Sequence, residues 1–220
     1  MLATFERLAG LFYDWLSCPD SVCNADLICA LAGRRKRMIF AMQLFSQGRA
    51  QSVLLSVGPY ESGWGLPNLP WPVPFDFPPS ALSFRSPEDH WFVTCEAGRS
   101  AVDKVEIGKF GTLGEIRTLA HWLQSRPQIA SLLVVSSAPH LRRVRMCCRA
   151  LLPQDLQVRF LAVPYENPFL NRELWWKNPR TRAIVISELP KLLLYSIIVR
   201  KWLLRIAIVP AGRKADNIQS

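Results

Sequence analysis

Short apolar runs alternate with amphipathic stretches across short loops, and this alternation restricts the fold more than any other feature of the chain. Leu27 to Ala32 is apolar and stops at Gly33. Met38, Ile39, Ala41, Met42, Leu44 and Phe45 then recur at helical spacing and close at Gly48, and Val53 to Val57 is apolar again, ending at Gly58 and Pro59. A short apolar run bounded by glycine or proline suits a strand buried on both faces. A helix joining two such runs through short loops makes a β-α-β unit, from which parallel sheets are built.

The rhythm breaks at residues 59–90, which hold eight of the 17 prolines together with Trp64, Trp71, Phe75, Phe77 and Phe84. So much proline excludes regular helix or central strand, and so many aromatics suit an ordered flap packed on the domain. Alternation then resumes. Ala101 to Ile107 reads as a strand, Thr112 to Gln124 as a helix, Ser131 to Val135 as a strand, Ala138 to Leu152 as a helix and Leu156 to Val163 as a strand. A helical tail follows over roughly 169–205, and Leu2, Phe5, Leu8, Ala9, Phe12 and Leu16 predict an amphipathic helix at the start. The expected architecture is one α/β domain over 1–220, Rossmann-like, with a mostly parallel sheet flanked by helices. It carries a Pro/aromatic-rich insertion at 59–99 and a basic helical tail at 166–220.

The net charge of +10 is unevenly placed: Met1 to Leu141 holds 12 basic and 12 acidic side chains, whereas Arg142 to Ser220 holds 15 and 5. Such asymmetry fits an anionic partner as well as it fits a solvated basic surface. The basic residues form no recognised nucleic-acid module, so nucleic acid ranks last among such partners. Cys18, Cys23, Cys29, Cys95, Cys147 and Cys148 contain no C-x-x-C pair and no histidine at zinc-finger spacing, so no metal site is read. No secretory signal or uninterrupted membrane span is read either: Ala183 to Val209 is broken by Glu188, Pro190, Lys191, Arg200, Lys201 and Arg205. The expected location is the cytoplasm, with peripheral contact to an acidic membrane surface.

Candidate site residues lie where strands pass into helices, since helix N-termini there present unpaired N–H groups and a positive dipole end. After the first strand, Gly33 frees the backbone and Arg37 stands one turn into the helix, but neither a dinucleotide fingerprint nor a P-loop is present. No cofactor is therefore named. At Thr112-Leu113-Gly114-Glu115 the T-x-x-E spacing fits a capping box, which accounts for both residues without any ligand. At Ser136-Ser137-Ala138-Pro139-His140-Leu141-Arg142-Arg143, Ser137 is the expected N-cap and Pro139 suits the first turn. His140 and Arg143, three apart, share a helix face, and the dipole there favours neutral imidazole.

These junctions occur in an order that resembles the YdcF-like family, the SanA- and ElyC-type envelope proteins of bacteria. The resemblance rests on Ala25 to Gly33, on Arg37-x-x-x-Ala41-x-x-Leu44, on Gly48 to Ser56, and on Thr112-x-x-Glu115. It continues in Val134 to Arg143, with its H-x-x-R, and in Glu188-Leu-Pro-Lys191-Leu-Leu-Leu-Tyr195. It implies a Rossmann-like fold and a link to cell-envelope metabolism, and leaves the reaction undefined. The expected function is binding of an anionic small molecule, phosphorylated or nucleotide-like, at the strand carboxyl ends. Arg37 and Arg143 would neutralise it, Thr112, Glu115, Ser136 and Ser137 would hydrogen-bond it, and His140 would move protons. The alternative is a non-catalytic protein that binds a membrane surface or envelope partner through its basic, apolar tail.

Overall fold

The computed structural model describes residues 2–58, 90–96, 99–108, 111–164 and 167–208, with 2, 3 and 202–208 described by backbone alone. The proline-rich part of the expected insertion, residues 59–89, and the end of the expected tail, 209–220, lie outside the described residues.

The chain is α/β. Six strands, β1 (Ala25–Ala30), β2 (Ala50–Val57), β3 (His90–Glu96), β4 (Arg99–Val105), β5 (Ser131–Ser136) and β6 (Gln157–Ala162), form one sheet in the order β4-β3-β2-β1-β5-β6. The helices are α1 (Leu2–Ser17), α2 (Arg35–Ser46), α3 (Gly111–Gln124), α4 (Leu141–Leu151), α5 (Pro179–Ile186) and α6 (Glu188–Ile208), with a 3-10 turn at Ala138–His140 before α4. β2, β1, β5 and β6 are parallel, with Ile28 beside Val53 on one side and Leu133 on the other. β3 and β4 run antiparallel at one edge.

Strand alternation divides the core. Ile28, Ala30, Val53, Leu55, Leu133 and Val135 face α2, which buries Met38, Ala41, Met42 and Leu44 against them. Leu27, Cys29, Leu54, Leu132 and Val134 point the other way, toward Ile116 and Leu119 of α3 and Val144 and Cys147 of α4. All six cysteines are free thiols, and four are buried, as small apolar residues in these layers are.

The structure qualifies three expectations. The 59–99 segment is not insertion throughout, because His90–Glu96 is a paired strand with His90, Trp91, Phe92, Val93 and Cys95 buried. Seven residues without proline are enough for a strand, but they follow directly on a proline-rich stretch. On α1, the apolar pattern marks the inner face only in part: Ala9 and Leu16 are buried and Phe12 packs beside them, whereas Phe5 and Leu8 are exposed and Tyr13, outside the pattern, is buried. Tyr13 sets that face by donating its hydroxyl to the Leu170 carbonyl at 2.8 Å, and Trp175 Nε1 donates to the Ala9 carbonyl at 3.2 Å. Thr112 and Glu115, expected as a capping box, also serve longer-range contacts, described below.

The free side of β6 is closed by Asp20, whose N–H donates to the Phe160 carbonyl and whose Oδ2 accepts from Phe160 N, both at 2.8 Å. This continues the ladder by one residue and covers part of the open edge. At the amino ends of the strands, Asp26 Oδ2 accepts from Ala130 N, Ser131 N and Ser131 Oγ, tying β1 to β5. The opposite, carboxyl ends hold the candidate site.

Candidate functional site

From β1 the chain turns to α2 on one face of the sheet, and from β5 it turns to the 3-10 turn and α4 on the other. β1 and β5 are neighbours, so the two turns part at their carboxyl ends, and this topological switch point is where open α/β sheets have their ligand-binding crevice.

Arg37 links the two sides of that crevice. Only 6% exposed, it donates from Nε (3.1 Å) and Nη2 (2.7 Å) to Ser137 Oγ and from Nη1 (2.5 Å) to the Ala32 carbonyl. Ser137 is the N-cap by position, but its hydroxyl makes no cap bond and is given to Arg37. Gly33 permits this approach twice over: its φ is +129°, and an added Cβ would lie 3.0 Å from Arg37 Nη1. Ser136 ends β5, is buried, and gives its carbonyl to Val163 N at 3.0 Å.

Thr112 and Glu115 serve contacts across the site. Thr112 is the second residue of α3, and its Oγ1 accepts from Arg143 Nη1. Buried Glu115 accepts from Ala32 N at 2.7 Å. The sequence spacing fits a cap, but the closely packed β1 loop and α4 supply donors from other elements.

At the centre is Glu188, the first residue of α6, with its carboxylate fully buried. His140 Nδ1 lies 3.0 Å from Oε1, Arg143 Nε donates to Oε2 at 2.9 Å, and Lys191 Nζ donates to Oε1 at 2.8 Å. Burial works to raise the Glu188 pKa, but the hydrogen bonds and charge of His140 and Arg143 outweigh it and hold the carboxyl well below the usual range. Arg143 is correspondingly held more firmly protonated: burial opposes its charge and Glu188 overcomes that. The Tyr195 phenol completes the cluster, hydrogen-bonded with the Arg143 side chain and the Thr112 backbone.

The carboxylate fixes the histidine's tautomer. An ionised Glu188 only accepts, so His140 Nδ1 carries the proton toward it and Nε2 keeps its lone pair. The 3.4 Å approach of Arg143 Nη2 to the same Nδ1 then sets N–H against N–H and adds no hydrogen bond. Burial first, with the charges of Arg37 and Arg143, lowers the His140 pKa despite Glu188. The neutral form expected from the helix dipole is thus favoured chiefly by desolvation. A neutral imidazole oriented through one nitrogen by a carboxylate is the arrangement a general acid–base residue needs.

The structure therefore brings Arg37, Ser137, His140, Arg143, Thr112 and Glu115 to one end of the sheet, and adds three groups that sequence reading does not select. Glu188 and Lys191 come from the tail, where Glu188 is the sole carboxylate between Leu174 and Ala215. That isolation amid basic and apolar residues is the signal that could have found it. The third is His90, whose Nε2 lies 2.6 Å from Ser56 Oγ at the carboxyl end of β2, both side chains buried. Burial pulls the His90 pKa down to about 4. Among the described residues, no group of three or more His, Cys, Asp or Glu is placed to hold a metal ion. Comparison with protein-family models, curated proteins and solved structures finds no match to the chain.

Proposed function

We propose that the crevice between β1 and β5 binds an anionic small molecule, phosphorylated or nucleotide-like, with His140 as the proton-transfer group. The observation that carries this reading is the buried Glu188 carboxylate, which fixes the His140 ring through Nδ1 and so reserves Nε2 for another partner. Close pairing offsets the cost of burying the carboxylate, and titratable groups so strongly perturbed concentrate at functional sites. The formal charges of the cluster support an anionic ligand: Arg37, Arg143 and Lys191 against Glu115 and Glu188 leave one positive charge in excess, beside the first turn of α2 and the turn leading into α4. The ordered junctions that resemble the YdcF-like family agree with this reading and extend it to bacterial cell-envelope metabolism.

The test is calorimetric titration of the full chain with pyrophosphate, a nucleoside diphosphate and a sugar phosphate. Arg37→Lys keeps the charge and removes the planar fork, so affinity should fall about tenfold, the loss of one charge-assisted hydrogen bond. Arg149→Lys, exposed in the last turn of α4, should leave affinity unchanged. Equal affinity in both variants, set by ionic strength alone, would mean a diffuse basic field and no site.

A further inference from the structure

Helices α5 and α6 meet at Ser187, whose backbone stays αR, so their outer sides run on from one to the other. Along that side Ile186, Leu189, Leu193 and Ile197 follow at spacings of three, four and four, and are 48%, 41%, 67% and 53% exposed. Leu194 beside them is 51% exposed. The inner side of α6 is already committed: Glu188, Tyr195 and Val199 are buried on the domain. Five large aliphatic side chains in one stripe are a contiguous apolar surface, not isolated exposed residues.

The charges around the stripe select its partner. Leu189 to Ile208 contains Lys191, Arg200, Lys201 and Arg205 and no acidic residue. Arg200 and Lys201 are exposed at the end of the stripe. A second copy of the stripe would offer these cations no carboxylate to pair with, since Leu189 to Ile208 has none and Glu188 is buried and taken by three partners. The stripe also lacks the aromatic and Arg anchors that concentrate at the centre of protein interfaces. Aliphatic side chains flanked by exposed basic ones are what an interfacial helix offers to acyl chains and acidic headgroups. Among the described residues no helix is long and apolar enough to cross a membrane, whereas a helix lying along the headgroup boundary needs only one apolar side.

We infer that the outer side of α5 and α6 is a docking face for an anionic lipid bilayer surface. It stands apart from the crevice, which faces the opposite side of α6.

Co-sedimentation of the full chain with vesicles tests this, using phosphatidylcholine alone and phosphatidylcholine mixed with phosphatidylglycerol. The chain should pellet with the mixed vesicles far more than with the neutral ones, and less as salt rises. Leu193→Glu with Ile197→Glu should lower binding about tenfold or more, since both charges would enter the acyl boundary. Arg200→Gln with Lys201→Gln should remove the preference for acidic lipid. All four residues are exposed, so thermal unfolding should match the parent. The inference fails if neither vesicle is bound, if both are bound equally, or if the Leu193 and Ile197 variant pellets like the parent. It also fails if the chain is a dimer by light scattering that the same variant dissociates.

Discussion

The Glu188 carboxylate, fully buried, lies 3.0 Å from His140 Nδ1, so the first residue of the tail helix sets the protonation pattern of a histidine in another element of the fold. Arg143 shares the carboxylate at 2.9 Å. The consequence for stability has a definite sign. Replacing Glu188 by Gln strands Arg143 as a largely buried cation, and unfolding by urea should register a loss of about 3–5 kcal/mol. The Glu188 pKa is depressed in the folded chain, so the stabilisation is present above the unfolded value of about 4.3 and drains away as pH falls below it. Glu188→Gln should flatten that acid limb. An unchanged limb would mean that the carboxylate carries no net stabilisation.

His90 sets a second pH window, higher and separate from the first. Burial holds its pKa at about 4, against 6.5 for a free imidazole. Between those values the unfolded chain binds the proton and the folded chain does not, so stability is full above the upper value and declines as pH falls to the lower. The decline amounts to about 3 kcal/mol. His140 is shifted in the same direction, so the measurement is the difference between parent and His90→Gln. That difference should shrink steadily from neutral pH to pH 4, because Gln does not titrate.

Gly114 is a point where the usual rule for glycine in a helix reverses. A Cβ added there would stand 1.8 Å from the Ile107 carbonyl oxygen, a backbone atom that cannot swing aside. Gly→Ala inside a helix ordinarily stabilises by about 0.5–1 kcal/mol. Here it should destabilise by at least about 2 kcal/mol as α3 is pushed off the strand end. Chemical denaturation reads the sign directly, and a stabilised variant would show that the approach is looser than the geometry states.

What the sequence discloses depends on how locally each feature is determined. The β1-α2-β2 unit is legible because periodicity, loop length and the closing Gly48 all act within one stretch of chain. His140 and Arg143 are legible as a pair because three residues along a helix is one face. Arg37 and Ser137 are legible only through topology, since both follow strands of one sheet. Glu188 is not legible as a site residue because its role depends on how α6 docks, and local spacing carries no information about docking. Thr112 and Glu115 show the converse: their spacing completes a local motif and carries no information about the tertiary partners, Arg143 and the Ala32 N–H, that they also take. β3 is obscured by the prolines before it, and the outer face of α1 by apolar residues that the domain leaves exposed.

The Arg37–Ser137 contact offers the sharpest check on the crevice itself. Two guanidinium nitrogens share one hydroxyl, at 3.1 and 2.7 Å, across the gap between the β1 loop and the end of β5. Ser137→Ala removes the acceptor and leaves a buried cation with fewer partners, at a cost of about 1.5–3 kcal/mol. Arg37→Met removes the cation, and once it is gone the hydroxyl has less to lose. The double variant should therefore be less destabilised than the two singles added together, by about 1–3 kcal/mol. Pyrophosphate then separates support from binding. Its thermal protection should survive in reduced form in Ser137→Ala, where the charge remains, and vanish in Arg37→Met. Additive singles would place the two side chains out of contact in solution, and protection retained in Arg37→Met would move the anion away from this crevice.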